Sequence, residues 1–317
     1  MREPERIKHP PKVTVLLAIF NGGTALQTQL DSYLQQDLKP HLVLASDDGS
    51  CDGSTDCFDL FAQRARTAGI ACQQFQGPQR GGTANFLHLL AQADTSSDYV
   101  ALSDQDDVWL PDKLEAATQM LAPHAAGPAL LGSRSWEWDS ECDHRRLSRP
   151  VPPPHDFRHA LVQNFAGGNT MVLNRAALVL IQRALPRIKD AAVHDWWLYQ
   201  LISGAGGTVL LDPTPRLLYR QHGGNQIGAN SSLRSKLRRF GAMLNGTYRH
   251  WNDLNIAALE PNIGLLTPDS QNILTRFIRE RQGPLRRRLN MLRQTGLHRK
   301  GALNQASLWL AALLNKL

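Results

Sequence analysis

The sequence is poor in cysteine, and the few it has are not spaced for metal or disulfide work. Cys51, Cys57, Cys72 and Cys142 are the only four in 317 residues. None pairs as C-x-x-C and none stands at zinc-ligand spacing, so a zinc module is excluded and reduced thiols in a reducing compartment are expected. No apolar run approaches the ~20 residues that a spanning helix needs. Residues 1–12 are charged and proline-bearing, so no secretory leader is read there. Internal repeats and low-complexity tracts are missing too. With 42% hydrophobic and 20% charged residues, the chain has the material for a sizeable core, and wholesale disorder is excluded.

Acidic residues become scarce towards the end of the chain. Residues 1–229 carry 20 Lys and Arg against 24 Asp and Glu, whereas residues 230–317 carry 15 against 4. The net charge of +7 therefore resides in the last segment. A basic, Leu-rich tail points to an anionic surface, with a solvated helix face as the plain alternative. Nucleic acid is not an expected partner, because the tail lacks interleaved aromatics and any binding motif.

What is present is an alternation. Val13 to Phe20 is a continuous apolar run, as in a strand covered on both faces, and Asn21-Gly22-Gly23 ends it. Thr24 and Gln27 stand at capping-box spacing ahead of Leu26, Leu30, Tyr33 and Leu34. Further strands are expected at 41–45, 70–76 and 99–102, with helices ending at Gly69 and opening at Gly81-Gly82-Thr83. Pro111 stands where a helix accepts proline in its first turn. Such a β-α-β-α order implies a mostly parallel sheet, whose ligands bind beyond the carboxyl ends of the strands. The acidic clusters fall at those ends.

After residue 130 the pattern loosens. It predicts a strand at 168–173, helices at 175–185 and 195–203, and two short strands, 208–211 and 216–219, punctuated by Pro213 and Pro215. Helices follow Gln221, with stripes at Leu233, Leu237, Phe240 and Leu244 and at Leu285, Leu289 and Leu292.

Asp104-Gln105-Asp106-Asp107, after an apolar strand, is the strongest chemical signal. Carboxylates ~4 Å apart repel by roughly 4 kcal/mol at near-surface dielectric. A divalent cation relieves this, and oxygen ligands completed by substrate phosphates suit Mg²⁺ or Mn²⁺. The alternative is an acidic loop before a helix, with Asp112 at the positive end of its dipole. Asp47-Asp48-Gly49-Ser50 sets carboxylates at another strand end, where one can accept from a pyrimidine N3–H while glycine admits close backbone approach. A glycine-rich turn with Asp as turn former reads the same. His194-Asp195-Trp196-Trp197 opens a helix, with Asp195 as N-cap, as general base behind an aromatic wall, or both. In Tyr219-Arg220-Gln221-His222, Arg220 suits a phosphate and His222 a metal, or both are structural.

In this order the segments resemble glycosyltransferase family 2. The resemblance rests on Val13-x-Val15 with Phe20-Asn21-Gly22, on Ser46-Asp-Asp-Gly-Ser50, and on Ser103-Asp-Gln-Asp-Asp107 with Trp109-x-Pro111. Gly168-Asn169-Thr170, His194-Asp-Trp-Trp197 and Tyr219-Arg-Gln-His-Gly223 are similar to the rhamnosyltransferases of bacterial surface polysaccharides. It covers roughly residues 12–228 and is specific through order and spacing.

The resemblance implies an α/β fold of the GT-A kind, a Rossmann-like nucleotide-binding sheet with a mixed extension, over residues 1–229. A basic helical segment, 230–317, would follow. Asp48 would contact the nucleotide base with Asp47 beside it, the backbone near Ala18 and Phe20 lining the same pocket. Asp104 would approach the ribose. Asp106 would ligate Mg²⁺ or Mn²⁺ on the diphosphate, helped by His222 and supported by Asp107. Asp195 matches the catalytic base, with His194, Trp196 and Arg220 in support. The implied reaction is inverting, metal-dependent transfer from a nucleotide sugar, dTDP-rhamnose by preference, to a glycan or lipid-linked saccharide. The implied place is the cytoplasm, peripheral on an anionic membrane surface.

Two departures stand out. His194 precedes Asp195 where many members carry an acidic pair, and the Gln-x-x-Arg-Trp signature of processive synthases is missing. The second argues for single-sugar transfer. The rival reading is a non-catalytic nucleotide-sugar binder of the same fold; retention of both Asp106 and Asp195 speaks against it, since binding needs no base.

Overall fold

The apolar runs at the head of the chain become adjacent parallel strands. β1 (Val13–Ile19), β2 (Leu42–Asp47), β3 (Ala71–Gln76) and β4 (Tyr99–Ser103) are joined by α1 (Gly23–Leu34), α2 (Ser54–Thr67) and α3 (Gly82–Gln92). They lie in the order β3-β2-β1-β4, with Leu17 of β1 opposite Ala45 on one side and Ser103 on the other. The order reverses about β1, and ligands of open α/β sheets bind at such a switch point. The computed structural model describes residues 10–221 and 246–317.

Beyond β4 the sheet turns mixed. The elements are β5 (Val108–Trp109), α4 (Lys113–Leu121), β6 (Ala129–Asp139), β7 (His144–Leu147), α5 (Phe157–Ala160), β8 (Val172–Asn174), α6 (Arg175–Ala184), α7 (His194–Gly204) and β9 (Thr208–Arg220). The full order is β3-β2-β1-β4-β8-β6-β9-β5, with β7 paired to β6. β8 runs antiparallel to β4 and β6, and β9 parallel to β6.

Four local expectations are corrected. Residues 208–220 form one strand, because register shifts against β6 between Ser133 and Trp136 absorb Pro213 and Pro215. The strand expected at 168–173 is a 3-10 turn, Gly168–Thr170, followed by β8; the Thr170 and Met171 amides bond back to Gly167 and Gly168. The Thr24–Gln27 box does not form, because the helix already starts at Gly23 and Thr24 falls inside its first turn; the Gly22 and Gly23 amides donate to Ser54 Oγ (2.9 Å) and Asp52 Oδ2 (2.8 Å). α4 starts at Lys113, two residues past Pro111, and Asp112 turns its carboxylate to Arg216 instead of the helix amides.

Each face of the sheet carries a core. Leu26, Leu30, Tyr33, Phe58, Phe61 and Trp109 pack on one side. Phe86, Leu89, Trp197 and Leu201 pack on the other, joined by Ile256 of α8 (Thr247–Leu259), Phe277 of α9 (Pro268–Glu280), Met291 of α10 (Leu285–Thr295) and Leu308 of α11 (Ala302–Leu313). The basic tail is partly turned inward. Arg281 is buried, donates to the Leu317 carbonyl and pairs with Asp253. Arg288 is buried and donates to the carbonyls of Ala312 (2.6 Å), Gly283 (2.5 Å) and Leu313 (3.2 Å). The stripe from Leu233 to Leu244 lies outside the described residues. Among the described residues no helix is long and apolar enough to cross a membrane.

Arg288 thus satisfies carbonyl groups at two turns. Its replacement by alanine leaves them without that donor, and each orphaned buried group costs about 1–3 kcal/mol. Arg288→Ala is expected to lower the urea midpoint by the equivalent of about 2–4 kcal/mol with an unchanged slope.

Candidate functional site

The site is built from the chain segments that leave β1, β2 and β4 at their carboxyl ends. After β2 the chain turns at Gly49, whose φ of 99° favours glycine. Asp47 holds this turn: its Oδ2 accepts the amides of Gly49 (3.2 Å) and Ser50 (2.9 Å), and its Oδ1 the Ser50 hydroxyl (2.5 Å). Asp48 is buried and braces the loop after β3, accepting the Gln79 amide on Oδ1 (2.6 Å) and the Gly81 amide on Oδ2 (2.7 Å). A Cβ at Gly77 would fall 2.8 Å from Asp48 Oδ1, so the brace needs glycine there. Locally, then, both residues do what a turn former does. Each Asp48 oxygen keeps a further lone pair.

At the end of β1, Ala18 is half-buried and Phe20 is 55% exposed. Gln105 grips the main chain of Phe20 from both sides. Its Oε1 accepts the Phe20 amide at 2.7 Å, and its Nε2 donates to the Phe20 carbonyl at 2.8 Å. Behind this, the buried Ser103 hydroxyl accepts from Tyr33 (2.6 Å) and Gln29 (3.1 Å) and donates to the Asp104 carbonyl (3.0 Å). The acidic segment is therefore anchored in front by Gln105 and behind by Ser103.

The carboxylates of that segment feel one another and the base candidate. Burial, then the charges of Asp106 and Asp195, push the half-buried Asp104 up to about 7, against the pull of Lys113. Burial and the charges of Asp104 and Asp106 hold Asp107 well above the ordinary range, against its bond to Asn169 and the charge of Lys113. Lys113 is itself buried and pushed down to about 7 by that burial.

Asp195 lies in the first turn of α7, whose N-cap is Val193, so it is not the cap expected. It is buried, and burial raises it to about 6. The amides of Trp196 (2.5 Å) and Gly168 (3.0 Å) and the Asn164 side chain act in the opposite direction. Asp104, Asp106 and Asp195 thus share one electrostatic neighbourhood, although 89 residues separate Asp106 from Asp195 in sequence.

Other expected residues stand elsewhere. Asp107 is fully buried, with Oδ2 on Asn169 Nδ2 (2.6 Å) and Oδ1 without a hydrogen-bond partner. His194 is stacked on Phe86 with centroids 4.0 Å apart, and burial lowers it to about 3, so the ring is neutral. Trp196 is core: its indole donates to the Ala160 carbonyl (2.6 Å) and its ring meets Trp251 edge-on, so it packs behind Asp195 and forms no aromatic wall. Arg220 Nε donates to the Asp106 carbonyl at 3.0 Å, with its guanidinium 4.5 Å over Trp138. His222 lies outside the described residues.

Asn164 and Lys113 were not singled out from the sequence, and nothing in one sequence displays them. Gln105 and Asn169 stood inside the segments 104–107 and 168–170 but were given no role of their own. Gly168 earns its place by space, since a Cβ there would come 2.3 Å from His194 Nε2.

Among the described residues no three His, Cys, Asp or Glu side chains form a metal cage. Asp106 with Asp104 beside it supplies two hard oxygen groups, which suits Mg²⁺ or Mn²⁺ completed by phosphate oxygens. The raised Asp104 marks surplus negative charge that a cation would relieve, so these residues fit such an ion.

The family described as Glycosyl transferase family 2 matches residues 14–177. The dTDP-rhamnosyl transferase RfbG of Shigella flexneri is 28% identical over 238 residues, 74% of this chain and 81% of that protein. The crystal structure of S. aureus TarS 1-349 in complex with UDP-GlcNAc is similar at a TM-score of 0.53 and 16% identity, covering 95% of this chain and 79% of that one. A second structure of TarS 1-349 is similar at 0.54 and 14% identity, covering 96% and 80%. At these identities the structural likeness is one of fold.

The raised Asp195 gives a stability test with a definite sign. The native state holds this proton more tightly than the unfolded chain, so its contribution to stability falls as pH rises from the ordinary carboxyl value of 3.8 through about 6. Asp195→Asn removes the titration. In urea unfolding the variant is expected to gain on the parent between pH 4 and pH 7, by roughly 3 kcal/mol at most. A difference that does not change with pH would mean that Asp195 titrates normally.

Proposed function

The chain belongs to glycosyl transferase family 2, and from that premise we propose that it transfers single rhamnosyl residues from dTDP-rhamnose, with inversion, to a hydroxyl of a glycan or lipid-linked saccharide. It is a glycosyltransferase on a GT-A-type fold. The observation that carries the proposal is Asp195: a buried carboxylate raised to about 6, oriented by two backbone amides and close enough to influence Asp104. The choice of donor is supported by the likeness to the Shigella flexneri protein, whose name states that nucleotide and sugar.

In this reading the acceptor hydroxyl attacks the anomeric carbon on the face opposite the diphosphate. The new C–O bond forms as the bond to the phosphate oxygen breaks, and the electron pair leaves with the nucleoside diphosphate. The hydroxyl proton passes to Asp195. A sugar hydroxyl is a far weaker acid than this carboxyl, so the proton moves late, within the transition state. One displacement with one base gives inversion. The Trp196 and Gly168 amides keep the carboxylate from rotating away, and a fixed base is worth more than a mobile one.

Asp48, Asp47 and the main chain at Ala18 and Phe20 form the pocket for the base, and Asp104 meets the ribose. Asp106 would hold Mg²⁺ or Mn²⁺, completed by His222, and such an ion supplies positive charge against the leaving diphosphate. Arg220, bonded to the Asp106 carbonyl, sets that residue's direction.

The transferase residues fall within 1–229. We propose that the segment 230–317 rests on an anionic membrane surface, where a lipid-linked acceptor is found. Exposed Arg286 and Arg287, with exposed Leu285, Leu303, Leu313 and Leu314, support this. Each basic residue near such a surface adds about 1 kcal/mol. Arg286→Glu with Arg287→Glu is expected to weaken co-sedimentation with anionic vesicles; unchanged binding removes the membrane proposal.

The transfer reaction is tested with a panel of nucleotide sugars, Mg²⁺ or Mn²⁺, and saccharide acceptors. Thymidine diphosphate should be released from dTDP-rhamnose, and release should be lost with chelator and in Asp106→Ala. Asp195→Asn should lower turnover by about 10²- to 10⁴-fold. Because the base must be ionised, kcat/KM should decline as the pH falls through about 6. Nucleotide binding without release from any donor would replace the enzyme by a non-catalytic binder.

A further inference from the structure

Asp107 is the carboxylate of its segment withdrawn from the cleft, and its surroundings join the two halves of the site. The turn Gly168–Thr170 is three residues long. At one end the Gly168 amide donates to Asp195 Oδ2 at 3.0 Å. One residue later Asn169 Nδ2 donates to Asp107 Oδ2 at 2.6 Å. The Asn169 carbonyl in turn accepts Lys113 Nζ at 3.0 Å, and that ammonium lies 4.6 Å over the Trp109 ring. Exposures are 0% for Asp107, 2% for Lys113 and 5% for Asn169, so none of the three is placed to bind a substrate directly.

Such a set is an expensive way to fill a core, since apolar residues of the same volume avoid the dehydration of both charges. What it provides is directional linkage. The donor-side carboxylates and Asp195 come from segments far apart in the chain, and the 168–170 turn bonds to both within two consecutive residues.

We propose that Asn169 and Lys113 are positioning residues that, through Asp107, lock the Asp104–Asp107 segment to the turn beneath Asp195 and so set the separation between donor and base. The inference rests on the reading of Asp195 as the base. Separation matters because the reacting atoms must lie in line, and a misplacement of ~1 Å costs about 10²-fold in rate.

The test is Asn169→Ala, in which turnover at saturating donor, thymidine diphosphate affinity by calorimetry and thermal midpoint are measured on one preparation. Turnover is expected to fall about 10²-fold while the nucleotide Kd stays within about threefold. In the Asp195→Asn protein the same substitution is expected to cost less than about twofold more, because residues acting as a unit are not additive. An equal loss in both backgrounds, or a loss of turnover in step with nucleotide binding, overturns the proposal in favour of simple packing. So does unchanged turnover. If Asn169→Ala does not fold, Lys113→Met opens the same link from its other end and is read in the same way; failure of both to fold also assigns the network to stability alone. Full turnover by Asp195→Asn itself would strike the base assignment, a result distinguishable from all of these.

Discussion

Like charges that share a partly dehydrated cleft are the constraint around which this molecule is arranged. Asp104 feels the charges of Asp106 and Asp195, Asp107 those of Asp104 and Asp106, and burial adds to the cost of ionising Asp104, Asp107 and Asp195. The protein answers each differently. Asp107 is drawn into the core against Asn169 and near Lys113, Asp195 is held by backbone amides, and Asp104 keeps a raised proton affinity. The result is a site with a store of negative charge, suited to a ligand assembly that brings cations with its phosphates.

The sheet supplies the geometry for this. Parallel strands deliver their carboxyl ends to one edge, so the segments after β1, β2 and β4 converge without long loops. Convergence alone leaves them loose. Side chains that bond to main chain tighten them: Asp48 to the loop after β3, Gln105 to Phe20 and Arg220 to Asp106. The C-terminal helices complete the core behind α7, so Asp195 stands on packing that the strand region does not provide by itself.

The parallel half was legible because its strands are covered on both faces and read as apolar runs; Val13 to Ile19 is the clearest example. In the mixed half the helices expected at 175–185 and 195–203 are α6 and α7, but the strands were poorly legible. β8 has three residues, too few for a period, and the prolines in β9 look like breaks until β6 is seen to accommodate them. The acidic segments and Asp195 were visible as candidates, since carboxylates at strand and helix ends are conspicuous. Their supports were not, because each reaches far along the chain: Gln105 acts on a residue 85 positions away and Asn169 on one 62 away. The same blindness produced the Thr24–Gln27 box, a local start for a helix that begins earlier, at Gly23, with the Gly22 and Gly23 amides held from a distance by Ser54 and Asp52.

The grip of Gln105 on Phe20 uses only the amide and carbonyl of residue 20. The loop thus reads the end of β1 as one strand reads another, indifferent to the side chain it finds there. That side chain, more than half exposed, is free to change while the acidic segment stays where it is. Surface and scaffold are thereby uncoupled at this corner: descendants of this chain can try new side chains at residue 20 without disturbing the carboxylates of the segment behind it.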